Sequence, residues 1–303
     1  MVPKIMKQGR LAPWLYLTPA LLFMIVFIVY PTIGTIRLSF LNARSTASAA
    51  TTCLAGQPCW GVFENYRYAL TNPLMVEALR NNALWLLLMV PATIIGGLFF
   101  AVIADRVRYE SVAKSIIFVP MAISFVGASV IWRFVYFFQS GGGPQPGLLN
   151  AIAVGLGGQP VAWLSNPAIN NYSLMVVGVW LWAGFCMTIL SAAIKGVDVE
   201  MLEASRVDGA NEFQVFFRIM LPTITPTVIV VATTMTIIIL KIFDIVFVMT
   251  GGNYGTEVIA DRMFNLIVTN VGQSTAIAVL LIILTIPILV LNIRRFRKDE
   301  AER

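Results

Sequence analysis

The chain has 303 residues, 58% of them hydrophobic and only 12% charged, with a formal net charge of +6 and a mean hydropathy of +0.82. A soluble domain carries about twice that charge fraction, so an ordinary soluble protein is excluded. The sequence has no histidine, which excludes His-based catalysis and most zinc sites; no metal site and no catalytic residue are expected.

Residues 11–36, 81–104, 115–132, 134–194, 219–240 and 263–293 contain no Asp, Glu, Lys or Arg. A spanning helix needs roughly 20 mostly apolar residues, and its backbone polar groups must be satisfied within the helix. Six spans are therefore expected, near 13–36, 81–104, 114–138, 172–194, 226–249 and 274–293, in an all-α polytopic membrane protein.

Lys4, Lys7 and Arg10 precede the first apolar run in the manner of a secretory leader. The run is too long for one and no small-residue cleavage site closes it, so a retained helix is expected. The following segment, 37–80, begins small and polar at Ser45–Thr52 and turns aromatic from Trp60 through Tyr66 and Tyr68. It also holds Cys53 and Cys59, whose spacing permits a disulfide or two free thiols in an oxidising compartment.

Arg133 stands near the end of the third span, where its guanidinium can snorkel to the interface. The glycine runs at 141–143 and 155–158 read as turns, since neither continues into a Lys-Ser or Lys-Thr phosphate loop. The fourth span carries Cys186, read as packing, and Trp180, Trp182 and Phe185. Aromatic faces bind sugars, so these three are candidate pathway residues, with Trp182 and Phe185 on one helix face and Trp180 on another. Met235 and Thr236 in the fifth span join the set. Lys241 and Asp244, three apart near the end of that span, are read as an ion pair along one helix face or as part of a gate. The segment Thr250–Thr256, rich in glycine, reads as a helix stop and turn or as a gate or receptor contact.

Lysine and arginine give the orientation. With the N-terminus inside, the segments 1–12, 105–114, 195–225 and 294–303 carry most of the positive residues, against Arg37, Arg44, Arg67, Arg80 and Arg262 outside. Both termini are then cytoplasmic, and the +6 charge reflects this bias rather than nucleic-acid binding. The chain divides into an N-terminal segment 1–12, a membrane region 13–294 with a cytoplasmic loop at 195–225, and a tail 295–303.

That loop interrupts two apolar stretches with a polar block. Residues 199–211 favour helix, Gly209 turns the chain, and Phe213, Phe216, Phe217, Met220 and Leu221 form a stripe on a second helix ahead of Pro222 and Pro226. Glu203, Ala204, Ser205, Asp208, Gly209, Ala210, Phe213, Phe217, Leu221 and Pro222 resemble the "EAA" loop of permease subunits in ATP-binding-cassette importers, with Ser205 in place of the second alanine. The stretch Phe243-Asp244 followed by Met249-Thr250-Gly251-Gly252 is similar to carbohydrate-importer permeases of the maltose-transporter large-subunit kind. Asn253–Ala260, Asn292–Arg295, Pro13–Ala20 and Glu64–Leu70 look closest to α-glucoside permeases.

The resemblance implies a type I ABC importer permease fold in a bacterial plasma membrane. It also implies partners: a second permease subunit, two ABC ATPase subunits, an extracytoplasmic sugar-binding protein, and membrane lipid. Glu203 would be the ionic contact to the ATPase, Ala204 and Ser205 would permit close approach, and Gly209 would set the angle. This chain would bind no cofactor; ATP and magnesium would belong to the ATPases, since the chain has no phosphate loop. The rivals are an importer of a non-sugar solute, an ion-coupled carrier and a membrane enzyme. A carrier needs buried relays and usually internal symmetry, an enzyme needs a nucleophile–base constellation or metal cluster, and neither explains the Glu203 block.

Overall fold

A computed structural model describes residues 12–41 and 60–301, excluding the side chains of a few terminal positions. The Cys53–Cys59 question, the positive residues of 1–11 and Arg44 lie outside the described residues. In chain order the helices are α1 (Ala12–Met24), α2 (Tyr30–Ser39), α3 (Val62–Thr71), α4 (Pro73–Ala104), α5 (Glu110–Phe118), α6 (Phe125–Val135), α7 (Leu148–Gly155) and α8 (Asn170–Lys195). There follow α9 (Val199–Val207), α10 (Glu212–Val215), α11 (Leu221–Leu240), α12 (Asp244–Met249), α13 (Ile259–Leu266) and α14 (Val271–Ala301). The described residues contain five helical stretches long and apolar enough to cross a membrane, or six if a bent pair counts as one span.

The chain forms two compact units. One comprises the described residues up to 70 together with 265–280. In it α1 and α2 join through a wide π turn at Ile25–Val29, and Asn65 holds the end of α2 by donating from Nδ2 to the carbonyls of Ser39 and Leu41, each at 3.0 Å.

The other unit, 71–264 and 281–303, holds the main core. Its centre is the crossing of α4 and α8, where Trp85, Met89, Leu174, Leu181, Met187 and Leu190 are fully or almost fully buried. Small residues allow the approach: a Cβ on Gly97 would collide with Cys186, and one on Gly178 would collide with the Met89 side chain. Membrane helices pack this way because lipid supplies no hydrophobic drive between them, so close contact and dispersion must do it.

Three expected spans take a different form. The second begins at Pro73, capped by Asn72, whose side chain accepts from Leu74 N at 3.0 Å. The third bends by 98° between Glu110–Ala122 and Phe125–Val135. There Ile123 and Ser124 are extended, and Ser124 starts a new helix by accepting from Gly127 N at 3.1 Å. The fifth does not start at Pro226: the helix runs from Glu212 to Leu240, with a π turn at Phe216–Met220. Pro222 lacks an N–H and crowds the preceding turn, and the wide turn absorbs that disturbance. The same span also fails to reach residue 249 as one helix, because the chain breaks at Lys241–Phe243.

Candidate functional site

The polar block between α8 and the fifth span is specified by local hydrogen bonds. Asp198 caps α9 by accepting from Glu200 N at 2.9 Å. At its other end Gly209 adopts φ +84°, Gly209 N donates to Arg206 O at 3.1 Å and Ala210 N to Ser205 O at 3.0 Å. This is the Schellman closure that a left-handed glycine permits. Two residues later Asn211 and Gln214 form a capping box, each side chain accepting from the other's backbone N–H at 2.9 Å. Helix, turn and second helix thus follow one another with their end groups satisfied.

On α9, Glu203 and Ala204 are exposed, as are Asp208 and Gly209 just beyond it. Ser205 is buried and its hydroxyl donates to Leu202 O at 2.7 Å. Its side chain is thus turned inward, while that of Ala204 is exposed. Phe213 and Phe217 remain exposed, their ring centroids 4.4 Å apart. At the start of the following helix, Glu212 accepts from Arg206 Nε at 2.8 Å and from an Arg106 terminal nitrogen at 3.3 Å.

The other end of α4 and α8 carries residues that sequence reasoning missed. Asn81 donates to the carbonyls of Gly255 and Glu257 at 2.9 and 2.8 Å. Asn82 donates to Leu240 O at 3.1 Å and accepts from Ile259 N at 2.8 Å. Asn170 donates to Tyr254 O at 2.8 Å and Asn171 to Gly255 O at 3.1 Å, while Trp85 Nε1 donates to Asn171 Oδ1 at 3.1 Å. All four asparagines are buried. Adjacent amide pairs inside apolar runs were the available signal, since buried polar groups at membrane depth are costly unless paired.

These amides hold a loop whose backbone is unusual. Gly251, Gly252 and Gly255 have positive φ, as does Tyr254 at +58°, a conformation that strains a side-chain-bearing residue. The loop stops α12, with Gly251 N donating to Val246 O at 3.0 Å. Glu257 lies 3.5 Å from Arg262 and is almost buried. Burial pushes its carboxyl above the ordinary range despite that cation.

The candidate pathway residues separate. Trp182 stacks on Phe125 at 5.7 Å and meets Phe185 edge-on at 5.7 Å, forming a half-buried aromatic set between α6 and α8. Trp180 meets Trp132 instead, at 5.6 Å, on a largely apolar cavity of about 740 Å³ whose polar side-chain groups are the Tyr172 hydroxyl and the indole N–H groups of Trp132 and Trp180. Such a wall offers a hydroxylated solute few hydrogen bonds, and Trp180 packs with Trp132 rather than with Trp182 and Phe185. Met235 is fully buried in the core; it packs rather than lines a path. Thr236 spends its hydroxyl on Ala232 O at 2.7 Å. Lys241 and Asp244 do not share a helix face, because Lys241 ends α11 and Asp244 opens α12, and no ion pair joins them. Arg133 donates to Val248 O at 3.2 Å, tying α6 to α12.

Comparison with known proteins gives this geometry a setting. Residues 86–297 match the family model described as "Binding-protein-dependent transport system inner membrane component". The chain is 50% identical over 293 residues to the osmoprotective compounds uptake permease protein GgtC of Synechocystis, covering 95% of this chain and all of that one. It is 43% identical to the alpha-glucoside transport system permease protein AglF of Rhizobium meliloti, covering 97% of this chain and 84% of that one. Its fold matches a crystal structure of a bacterial ABC transporter involved in the import of the acidic polysaccharide alginate, at TM-score 0.74 and 22% identity, over 94% of this chain and 95% of that one. The helical architecture, the polar block and these likenesses converge: the chain belongs to the family of binding-protein-dependent transport system inner membrane components and is an ABC importer permease.

Proposed function

We propose that this chain is one of two membrane subunits of an ATP-driven importer for α-glucosides or related small saccharides, and that it meets a separate ATPase through α9. The carrying observation is the capped, outward-presented α9, which offers Glu203 and Ala204 while Gly209 fixes the turn behind them. A carboxylate at a desolvated interface needs a cationic partner, and an alanine beside it lets that partner approach. Both termini and α9 lie on the cytoplasmic side, a reading supported by the lysine and arginine bias. The chain itself hydrolyses no ATP; nucleotide and magnesium belong to the ATPase pair, and an external binding protein delivers the solute.

The half-buried Phe125, Trp182 and Phe185 set is the surface on which a sugar ring would stack, with a second permease supplying much of the polar contact. The identity to the alpha-glucoside permease supports a sugar. A second reading, an osmoprotective compound, is favoured by the 50% identity to GgtC. The test is solute-stimulated ATPase activity of the purified complex with its binding protein, measured across α-glucosides and osmoprotective solutes. Stimulation by an α-glucoside is the expected result; stimulation by a non-sugar alone overturns it.

A further inference from the structure

Short helices in water are marginal on their own, and α9 has nine residues of which only Ser205 is buried. Apolar packing on α9 itself is limited to the half-buried Leu202. Polar links supply further anchorage. Arg206, in the last turn of α9, meets Glu212, and Glu212 also meets Arg106 in the turn after α4. The residue before Arg106 is Asp105, which accepts from Ser191 Oγ of α8 at 2.7 Å and pairs with Lys114 of α5. Lys114 pairs with Glu110 at 2.6 Å, and Glu110 pairs with Lys195 at the end of α8. Two sets of ion pairs thus meet at the adjacent residues Asp105 and Arg106, one reaching α9 and the other the ends of α4, α5 and α8.

Glu212 is also the first residue of the continuous helix Glu212–Leu240. An acidic residue there is favourable to the helix dipole in any protein. Holding two arginines from two other segments is not required by that role.

We infer that Glu212 is a positioning residue for energy coupling: it locks α9 at a set angle to the α4–α5 turn and to the head of the fifth span, so that movement of α9 reaches those helices. The inference rests on α9 being where the ATPase docks. The link is made of exposed ion pairs, each of small net strength. That suits a joint reset in every transport cycle, and it predicts that loss of Glu212 uncouples the complex without unfolding it.

The experiment uses the full complex of both permeases, the ATPases and the binding protein in proteoliposomes, and reads ATP hydrolysed per solute imported. Glu212→Arg should raise that ratio roughly threefold to tenfold, as far as two exposed pairs can set it, with the ATPase still copurifying and the melting temperature unchanged. Glu212→Gln should raise it less. The triple reversal Arg106→Glu, Arg206→Glu, Glu212→Arg rebuilds both pairs and should restore the ratio. An unchanged ratio in Glu212→Arg, or a triple reversal that does not recover, overturns the inference. So does loss of the ATPase from Glu212→Arg, because Glu212 would then be part of the dock itself. The docking reading is judged separately, by whether the ATPase stays bound to Glu203→Arg with Gly209→Val; if it does, that reading fails whatever Glu212 shows.

Discussion

At the beginning of α4 and α8, four buried asparagines grip backbone groups of the loop 254–259 and the end of α11. At the finish of the same two helices, Asp105, Ser191 and Lys195 are held through lysine and glutamate side chains, and Arg106 reaches out to Glu212. An amide bonded to a buried carbonyl is short-ranged and barely touched by salt, and breaking it strands a polar group away from water. The Asp105–Lys114 pair is largely buried, but the two pairs that Glu212 makes are exposed, and an exposed ion pair is screened, adaptable and weak. One end of the helix pair is therefore a fixed clamp, and the other meets α9 through an adjustable joint at Glu212.

The sharpest way to break this contrast is at the clamp. Asn82→Ala removes the partners of both Leu240 O and Ile259 N, each loss costing about 1–3 kcal/mol. The expected outcome is a large fall in the melting temperature of the detergent-purified complex, followed by tryptophan fluorescence. Gly209→Ala comes next. It places a side chain at φ +84°, which costs about 1–2 kcal/mol locally, and should depress ATP-driven uptake while leaving the melting temperature nearly constant.

Salt separates the ends without mutation. Raising it from about 0.1 to 1 M shortens the screening length from about 10 to 3 Å. Hydrogen exchange should then quicken in 198–215 and stay unchanged in 254–259. The smallest effect belongs to Glu257→Gln. The Glu257 carboxyl is raised by burial, so the folded state holds its proton to higher pH than the unfolded chain does. The charged form is thus destabilising once pH exceeds the folded value, and the contribution improves as pH falls through it. Glutamine should raise the melting temperature at pH 7 by roughly 1 °C, and the gain should vanish toward pH 4.

What sequence could reveal follows the range of the interactions. The Asp198 cap, the Gly209 turn and the Asn211–Gln214 box lie within a few residues of their partners, so helix, turn and helix were legible in order. The break after Leu240 was not, because the group that captures its carbonyl is Asn82, 158 positions away. Lys241 and Asp244 consequently looked like neighbours on one helix. The early start of the fifth helix was hidden too, since two prolines signal a boundary unless a π turn makes room for them. Aromatic residues at helical spacing identified Trp182 and Phe185 as sharing a face, but spacing could not show that Trp180 opens onto an apolar cavity.

The central claim, that α9 is where a separate ATPase meets this chain and the clamped loop is not, has a direct test. A photoreactive residue is placed at Ala204 in one complex and at Tyr254 in another, both positions being exposed, and the products of illumination are identified by mass spectrometry. The account predicts a covalent link from position 204 to the ATPase subunit and none from position 254. A link to the ATPase from 254, or the lack of one from 204 in a complex that still transports, would contradict it.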